Sequence, residues 1–203
     1  MNKLTLQHDK NGTEFSAVLA DMQEQFPLNE LKHRETFERL LKGGDYQLLI
    51  ARDGEKKIGY LFVYRDRPSN TLWLDYFAVF ARYHSKGYGS KLLPLLKTHY
   101  PRALGCFLEV EKPQPQLLNT VRRVDFYRRL GAKRLDLDYY FPHAAGALAM
   151  HLYFLPFSKE GVPPFSARKI LRVIKRVFGT LHADIPHASQ VLERIGSRPC
   201  EPS

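Results

Sequence analysis

The sequence predicts an α/β protein in which helices flank a mixed central sheet of six to seven strands, followed by a C-terminal helical extension. Strand-like and helix-like segments follow one another in the order β-α-α-β-β-β-α-β-α-β-β. The loops between the middle strands are too short for parallel crossovers, which disfavours the alternative of an all-parallel doubly wound sheet. A chain of 203 residues, 44% of them hydrophobic, is long enough to bury a full core.

Seven short segments have the apolar or alternating pattern of strands: residues 3–6, 46–52, 57–65, 71–79, 103–111, 133–140 and 148–154. Asp53 and Gly54, between the second and third segments, form a dipeptide that is typical of a tight hairpin turn. Pro113 and Pro115 end the fifth segment, because proline cannot donate a hydrogen bond to a β-ladder.

Four segments have apolar residues at helical spacing: residues 14–25, 29–41, 87–100 and 117–130. In the first of them, Val18, Leu19 and Met22 fall on one face. Gly43 ends the second, and Gly131 fits the left-handed position that follows the last turn of the fourth.

Composition changes near residue 157, and we expect a domain over residues 1–157 and a basic helical extension over residues 158–203. Pro163 and Pro164 mark a break. A stripe of apolar residues follows, made of Ile170, Leu171, Ile174, Val177 and Phe178, and most of the remaining positions are Arg168, Lys169, Arg172, Lys175 and Arg176. Such a helix most often packs its stripe on its own domain or on a second subunit of a homodimer. The alternatives are a membrane surface or an acidic partner.

The fourth strand runs into a short basic loop and then into a helix, an arrangement that binds anions. The first N–H groups of a helix lack intrahelical partners, and Gly87 and Gly89 allow a ligand to approach the backbone closely. Arg82, Lys86 and Lys91 add positive charge. Neither a P-loop nor a three-glycine dinucleotide motif is present, so a phosphate-bearing cofactor or an ordinary strand-to-helix turn stays open on this loop alone.

The residues of the loop resemble a known motif. It reads Val79-x-Ala81-x-x-His84-Ser85-Lys86-Gly87-Tyr88-Gly89-Ser90. This run resembles the pyrophosphate loop of the GNAT N-acetyltransferases, whose usual pattern is Val-x-Pro-x-x-Arg/Gln-Gly-x-Gly-x-Gly/Ala. Ala81, His84 and Ser85 depart from that pattern, at positions where backbone N–H groups rather than side chains make the cradle.

A second segment supports the same family. Residues 126–132, FYRRLGA, resemble the C-terminal signature of the GNAT enzymes, in which an aromatic residue, a tyrosine and a glycine close a helix before the next strand. The two segments occur in the expected order, and the resemblance covers roughly residues 1–157.

The resemblance implies a GNAT fold and an enzyme that uses acetyl-CoA to acetylate a primary amine of a small molecule or peptide. It implies that backbone groups of Phe77, Ala78 and Val79 meet the pantetheine arm between two splayed strands, 71–79 and 103–111. Residues implied at the cofactor phosphates are His84, Ser85, Lys86, Gly87, Tyr88, Gly89 and Ser90. Helix contacts to the cofactor are implied for Asn119, one residue away from the family asparagine, and for Arg123, which could instead meet an acidic substrate.

Acetyl transfer to an amine needs a base for the amine and an acid for the departing thiolate. Tyr127 matches the family tyrosine that protonates the thiolate; the alternative is a helix-end tyrosine that packs on the sheet. Asp75 lies where several GNAT enzymes carry a glutamate, and Glu109 or Glu111 of the neighbouring strand could approach it. The base is therefore one of these carboxylates or a water molecule, unless Asp75 only pairs with a lysine or arginine.

The net charge of +10 raises the question of nucleic-acid binding. Lysine and arginine are spread along the chain, and a phosphate-rich cofactor also favours a basic rim, so we do not expect nucleic acid as the main ligand. His182, Asp184 and His187 fit a surface loop better than a metal site, and no metal is expected.

The N-terminal sequence lacks an apolar leader, and no apolar run is long enough to span a bilayer. Cys106 and Cys200 do not suggest a disulfide framework, so a cytoplasmic protein is expected. Two other functions stay open: a GNAT-like module that binds acyl-CoA without turnover, and a basic nucleic-acid-binding protein. No pattern in the sequence indicates which amine is the acceptor.

Overall fold

The computed structural model describes residues 3–143, 146–163 and 165–196. Pro164 and Cys200, which entered the sequence interpretation, lie outside these ranges. The strands are β1 (Leu4–His8), β2 (Tyr46–Asp53), β3 (Lys56–Asp66), β4 (Thr71–Val79), β5 (Gly105–Glu111), β6 (Lys133–Arg134), β7 (Tyr139–His143) and β8 (Gly146–Pro156). The helices are α1 (Phe15–Gln25), α2 (Arg34–Lys42), α3 (Tyr88–Leu92), α4 (Leu95–His99), α5 (Leu118–Arg129), α6 (Ala167–Leu181) and α7 (Ala188–Gly196).

The strands follow the order β1-β2-β3-β4-β5-β8-β6, and β7 pairs with β8. The pairs β1–β2, β2–β3, β5–β8, β6–β8 and β7–β8 are antiparallel. This arrangement confirms the predicted α/β fold with a mixed sheet and C-terminal helices. None of the helices in the described ranges is long and apolar enough to cross a membrane.

Three predicted elements were wrong in extent. The helix predicted over 87–100 is two short helices, because Pro94 has no N–H for the Ser90 carbonyl and interrupts the ladder. The strand predicted over 133–140 is divided into β6 and β7 around Asp136 and Asp138, residues that favour turns over strands. The helix predicted from residue 29 begins only at Arg34, after a separate 3₁₀ turn at Leu28–Glu30.

The chain folds into two compact units. The first comprises Met1–Arg65 and Leu74–Arg102. Its core is a cluster of aromatic rings in which Phe37 of α2 packs on Tyr46, Phe62 and Tyr76, with ring centroids 4.9 to 6.5 Å apart. Aromatic pairs at these separations add to the free energy gained by burial alone.

The second unit comprises Asp66–Trp73 and Ala103–Ser203. Trp73 stacks on Phe107 of β5, and Phe107 meets Phe154 of β8 edge-on. The apolar stripe of α6 is buried in this unit through Ile170, Val173, Ile174, Val177, Phe178 and Leu181. Packing of the stripe on the protein itself, the preferred interpretation of this helix, is therefore what the structure shows. The division into a domain over residues 1–157 and an extension over residues 158–203 stays a prediction.

Candidate active site

The side chains of β4 alternate between two faces, as a strand requires. From Leu74 onward, Leu74, Tyr76 and Ala78 are buried, whereas Asp75, Phe77 and Val79 share the other, half-buried face. This places three of the predicted site residues on one side of the strand, immediately before the glycine-containing loop.

The loop after β4 has two residues in the left-handed region. A 3₁₀ turn at Ala81–Tyr83 is followed by Ser85 with φ of 59° and Gly87 with φ of 74°, and α3 begins at Tyr88. Alternation of right- and left-handed residues turns successive backbone N–H groups toward one point, which is how backbone anion sites form. A Cβ atom at Gly87 would meet no protein atom within 4 Å, so the space above this backbone is open.

Hydrogen bonds from its own side chains hold the loop. The His84 Nε2 and the Gln25 Nε2 both donate to the Val79 carbonyl, at 2.7 and 3.2 Å. Lys86 Nζ donates to the Arg82 carbonyl at 2.9 Å. These bonds direct the His84 ring and the Lys86 ammonium onto the loop backbone, so the backbone N–H groups are the donors best placed to face a ligand.

Two further bonds fix the start of α3. Ser90 Oγ donates to the Gly87 carbonyl at 2.9 Å, and the Tyr88 hydroxyl donates to Asp53 Oδ2 at 2.8 Å. The bond to Asp53 raises the pKa of the Tyr88 hydroxyl, so Tyr88 stays a donor at neutral pH. Asp53 belongs to β2, and it ties the loop to the sheet of the first unit.

Asp75 is held in an ion pair inside the first unit. The Lys32 Nζ lies 2.8 and 2.9 Å from its two oxygens, with Lys32 10% and Asp75 4% exposed. The Tyr46 hydroxyl also donates to Asp75. Burial, followed by the charge of Asp75, raises the pKa of Tyr46 well above its usual value. Pairing with a lysine, the alternative left open by the sequence, is the arrangement present.

The carboxylates of β5 lie in the second unit and have different partners. Glu109 accepts hydrogen bonds from Trp73 Nε1 at 3.1 Å and from the Tyr139 hydroxyl. Glu111 forms an ion pair with Arg123 of α5. Arg123, for which a contact to the cofactor was predicted, is therefore paired with a carboxylate of the protein. Asn119, the other predicted helix contact to the cofactor, is exposed in the first turn of α5.

Tyr127 lies in the last turn of α5, half-buried, with its ring edge-on to Phe126 at 5.1 Å. Burial is the largest cause that raises its pKa to about 12, and the nearby charge of Arg123 opposes the rise. Its hydroxyl makes no hydrogen bond to any residue within the described ranges. The group is therefore a protonated phenol at neutral pH whose donor is not used by the surrounding protein.

Three residues of these networks were missed by the sequence interpretation: Lys32, Tyr46 and Tyr139. Lys32 was assigned to a helix, and its partner Asp75 is 43 residues away, so no local pattern connects them. Tyr46 and Tyr139 each begin a strand, and a tyrosine at a buried strand position needs a partner for its hydroxyl. This need for a hydroxyl partner is the feature of the sequence from which the roles of Tyr46 and Tyr139 could have been predicted.

Among residues 3–143, 146–163 and 165–196, no group of three or more His, Cys, Asp or Glu side chains is arranged to hold a metal ion. His182 is buried, and its ring packs edge-on against Phe141 and Phe178.

Comparison with known proteins agrees with this geometry. Residues 15–132, more than half of the chain, match the profile of the acetyltransferase (GNAT) family. A solved structure described as a GNAT-family acetyltransferase from Bacteroides thetaiotaomicron has a TM-score of 0.71 and 22% identity, covering 89% of this chain and 97% of that one. A search of curated proteins finds no match.

Two other solved structures show the same fold. The ribosomal-protein-S18-alanine N-acetyltransferase from Escherichia coli has a TM-score of 0.57 and 18% identity, covering 81% of this chain and 100% of its own. A Bacillus subtilis acetyltransferase in complex with CoA has a TM-score of 0.51 and 15% identity, covering 76% and 99%. At these identities the similarity to the solved structures shows the fold only. The type of reaction follows from the match to the family profile. The chain belongs to the GNAT acetyltransferases, N-acetyltransferases that use acetyl-CoA and act on amines.

Proposed function

We propose that the protein transfers an acetyl group directly from acetyl-CoA to a primary amine of a small molecule or peptide, with Tyr127 as the general acid. The observation that carries this proposal is the state of the Tyr127 hydroxyl. It is protonated at neutral pH, as phenols are, and no described residue takes up its hydrogen bond. A phenol in this state can give its proton to a departing thiolate.

The cofactor is proposed to bind along β4 and the loop that follows it. The backbone N–H groups of Ser85 to Ser90 suit the pyrophosphate, because Ser85 and Gly87 have left-handed conformations that can turn successive N–H groups toward one anion. The backbone of Phe77 and Ala78 is proposed to meet the pantetheine arm. The Val79 carbonyl already accepts two hydrogen bonds, so we assign it to holding the loop.

Glu109 is the better candidate for the base. Asp75 carries the Lys32 ammonium and Glu111 the Arg123 guanidinium, whereas Glu109 accepts hydrogen bonds from Trp73 and Tyr139, which are neutral donors. The ion pairs of Asp75 and Glu111 would each have to open before those carboxylates could accept a proton. In this proposal the proton of the amine passes to Glu109 directly or through water.

The reaction then has one covalent step. The neutral amine nitrogen attacks the thioester carbonyl carbon, the C–S bond breaks, and the thiolate receives the Tyr127 proton. The products are the N-acetyl amine and CoA, and the proton lost by the amine restores the phenol through solvent.

The test combines calorimetry with acetyl-CoA and a thiol-release assay over a panel of polyamines, amino sugars, lysine-containing peptides and peptides with free N-termini. We expect acetyl-CoA to bind and at least one amine to give release above the amine-free background, with the acetylated product seen by mass spectrometry. Binding of acetyl-CoA without turnover on any amine would replace the proposal with a non-catalytic acyl-CoA-binding module. Absence of binding would reject both.

A further inference from the structure

Helix α6 presents an exposed row of cations on the face opposite its buried stripe. Arg168, Arg172 and Lys175 follow the i, i+4, i+7 spacing that aligns side chains on one helix face, and all three are exposed. Lys169 is exposed beside them. The sequence of α6, ARKILRVIKRVFGTL, contains no acidic residue that could neutralise the row from within the helix.

The row differs from several paired cations of the chain. Arg34, Lys57, Arg123 and Arg176 each form an ion pair with a carboxylate. By contrast, in the part of the chain that the structure describes, the side chains of Arg168, Lys169, Arg172 and Lys175 form no ion pair or hydrogen bond. Four like charges on a single helix repel one another, and an external anion would relieve this repulsion.

The residues exposed on this face of α6 favour one class of anionic partner over the others. Insertion into a membrane surface would require the apolar stripe of α6, but Ile170, Ile174 and Phe178 are already buried in the second unit. A protein interface would need an aromatic or aliphatic anchor, and the exposed positions of α6 are Gly179 and the cations themselves. A regularly spaced polyanion can bind to the cations of the row alone, without an apolar contact.

We propose that this row binds the phosphate backbone of duplex nucleic acid, as a second ligand in addition to acetyl-CoA. Arg168 and Lys175 are seven residues apart in the helix, a rise of about 10 Å. One strand of a duplex carries a phosphate about every 3.4 Å of axis, so the row extends over about three phosphate intervals, and each of its three cations can meet one phosphate. The contacts involve no base edge, and the binding is independent of sequence.

Three phosphate contacts set the expected dependence on salt. Each contact releases counterions and contributes about −0.9 to the slope of log affinity against log salt for a DNA duplex, or about −2.7 for three. Affinity should then fall roughly 40-fold between about 50 and 200 mM salt.

The test measures binding of the full-length protein to a labelled mixed-sequence DNA duplex of about 20 base pairs by fluorescence anisotropy. The variant Arg168→Ala/Arg172→Ala/Lys175→Ala removes the row. A matched control, Lys10→Ala/Arg39→Ala/Arg129→Ala, removes the same residue types at exposed positions on three other segments. A third variant, Arg168→Lys/Arg172→Lys, keeps the charge. Thermal melts show that each variant is folded.

We expect the row variant to lose at least tenfold in affinity at about 50 mM salt and most of the salt slope, while the control and the lysine variant stay within about threefold of the parent. Equal losses in the row variant and the control would overturn the proposal, because total charge would then explain binding. Row-dependent binding to vesicles containing phosphatidylserine, with no binding to the duplex, would overturn it as well. So would a parent protein that does not bind the duplex at low salt.

Discussion

At the residue scale, the two candidate carboxylates have different surroundings and should respond differently to neutralisation. Asp75 compensates a buried Lys32, whereas Glu109 accepts hydrogen bonds from Trp73 and Tyr139. Removing one partner of a buried ion pair costs about 3–5 kcal/mol, because the other charge is left uncompensated. Removing a general base costs a factor of about 10²–10⁴ in rate.

We therefore expect Asp75→Asn to lower the unfolding free energy by several kcal/mol, measured by chemical denaturation, and Glu109→Gln to lower turnover with little loss of stability. The double variant Asp75→Asn/Lys32→Met, which removes both charges, should recover part of the stability. If Glu109→Gln keeps full turnover and a folded Asp75→Asn protein at low temperature has none, the base is Asp75 instead.

The sequence could predict which face of β4 carries Asp75, because strand alternation is local. It could not predict the partner of Asp75, because Lys32 comes from a loop distant in the chain and any of 31 lysines and arginines could have filled that place. The pKa of Tyr127 was likewise beyond the sequence, since it depends on burial beneath neighbouring elements.

At the element scale, the loop between β4 and α3 depends on one glycine. Gly87 has φ of 74° and open space above it, so its role is to hold a left-handed backbone and to leave room for a ligand. Gly44, after α2, has φ of 78° and equally open space. Valine at either position should impose a similar backbone strain of about 1–3 kcal/mol.

The affinity for acetyl-CoA should distinguish the valine variant of Gly87 from that of Gly44. We expect Gly87→Val to weaken acetyl-CoA by more than tenfold in calorimetry, equal to more than ~1.4 kcal/mol, since a branched side chain would obstruct the approach of phosphate. Gly44→Val should bind acetyl-CoA within about twofold of the parent despite the same strain. Equal affinities of Gly87→Val and the parent would show that the phosphates bind elsewhere.

Element boundaries show what pattern alone can and cannot give. The limits of β4 were predicted to the residue, because its apolar run is bounded by Asn70 and the loop. The break at Pro94 was readable, since a proline inside a helix removes a hydrogen bond, but the leucines around it dominated the periodicity. Asp136 and Asp138 made the division of β6 from β7 readable, but the segments of β8 with which each strand pairs involve residues far apart in the chain.

At the scale of the whole molecule, the loop lengths and the order of elements were enough to predict the fold class, because they restrict the possible sheet topologies. The position of α6 could be learned only from the structure. Besides its apolar stripe, α6 is fixed by Arg176, which donates to both oxygens of Asp66 at 2.5 and 2.7 Å. Asp66 is 1% exposed, so its carboxylate depends on that guanidinium.

Arg176→Ala should therefore cost about 3 kcal/mol of unfolding free energy, measured by urea denaturation. Arg172→Ala is a matched control on the same helix, and its exposed side chain should change the stability by less than about 0.5 kcal/mol. Adding Asp66→Asn to Arg176→Ala should restore part of the loss by removing the buried charge. Equal, small effects of the two arginine variants would mean that the stripe alone holds α6.

The most direct test of the account is turnover of the Tyr127→Phe variant on an amine that the parent acetylates. Phenylalanine keeps the ring and its packing on Phe126 but removes the hydroxyl. We expect acetyl-CoA affinity to stay within about twofold while thiol release falls by a factor of about 10²–10⁴. Full turnover by a folded Tyr127→Phe protein would contradict it, because the thiolate would then leave without the proton of Tyr127.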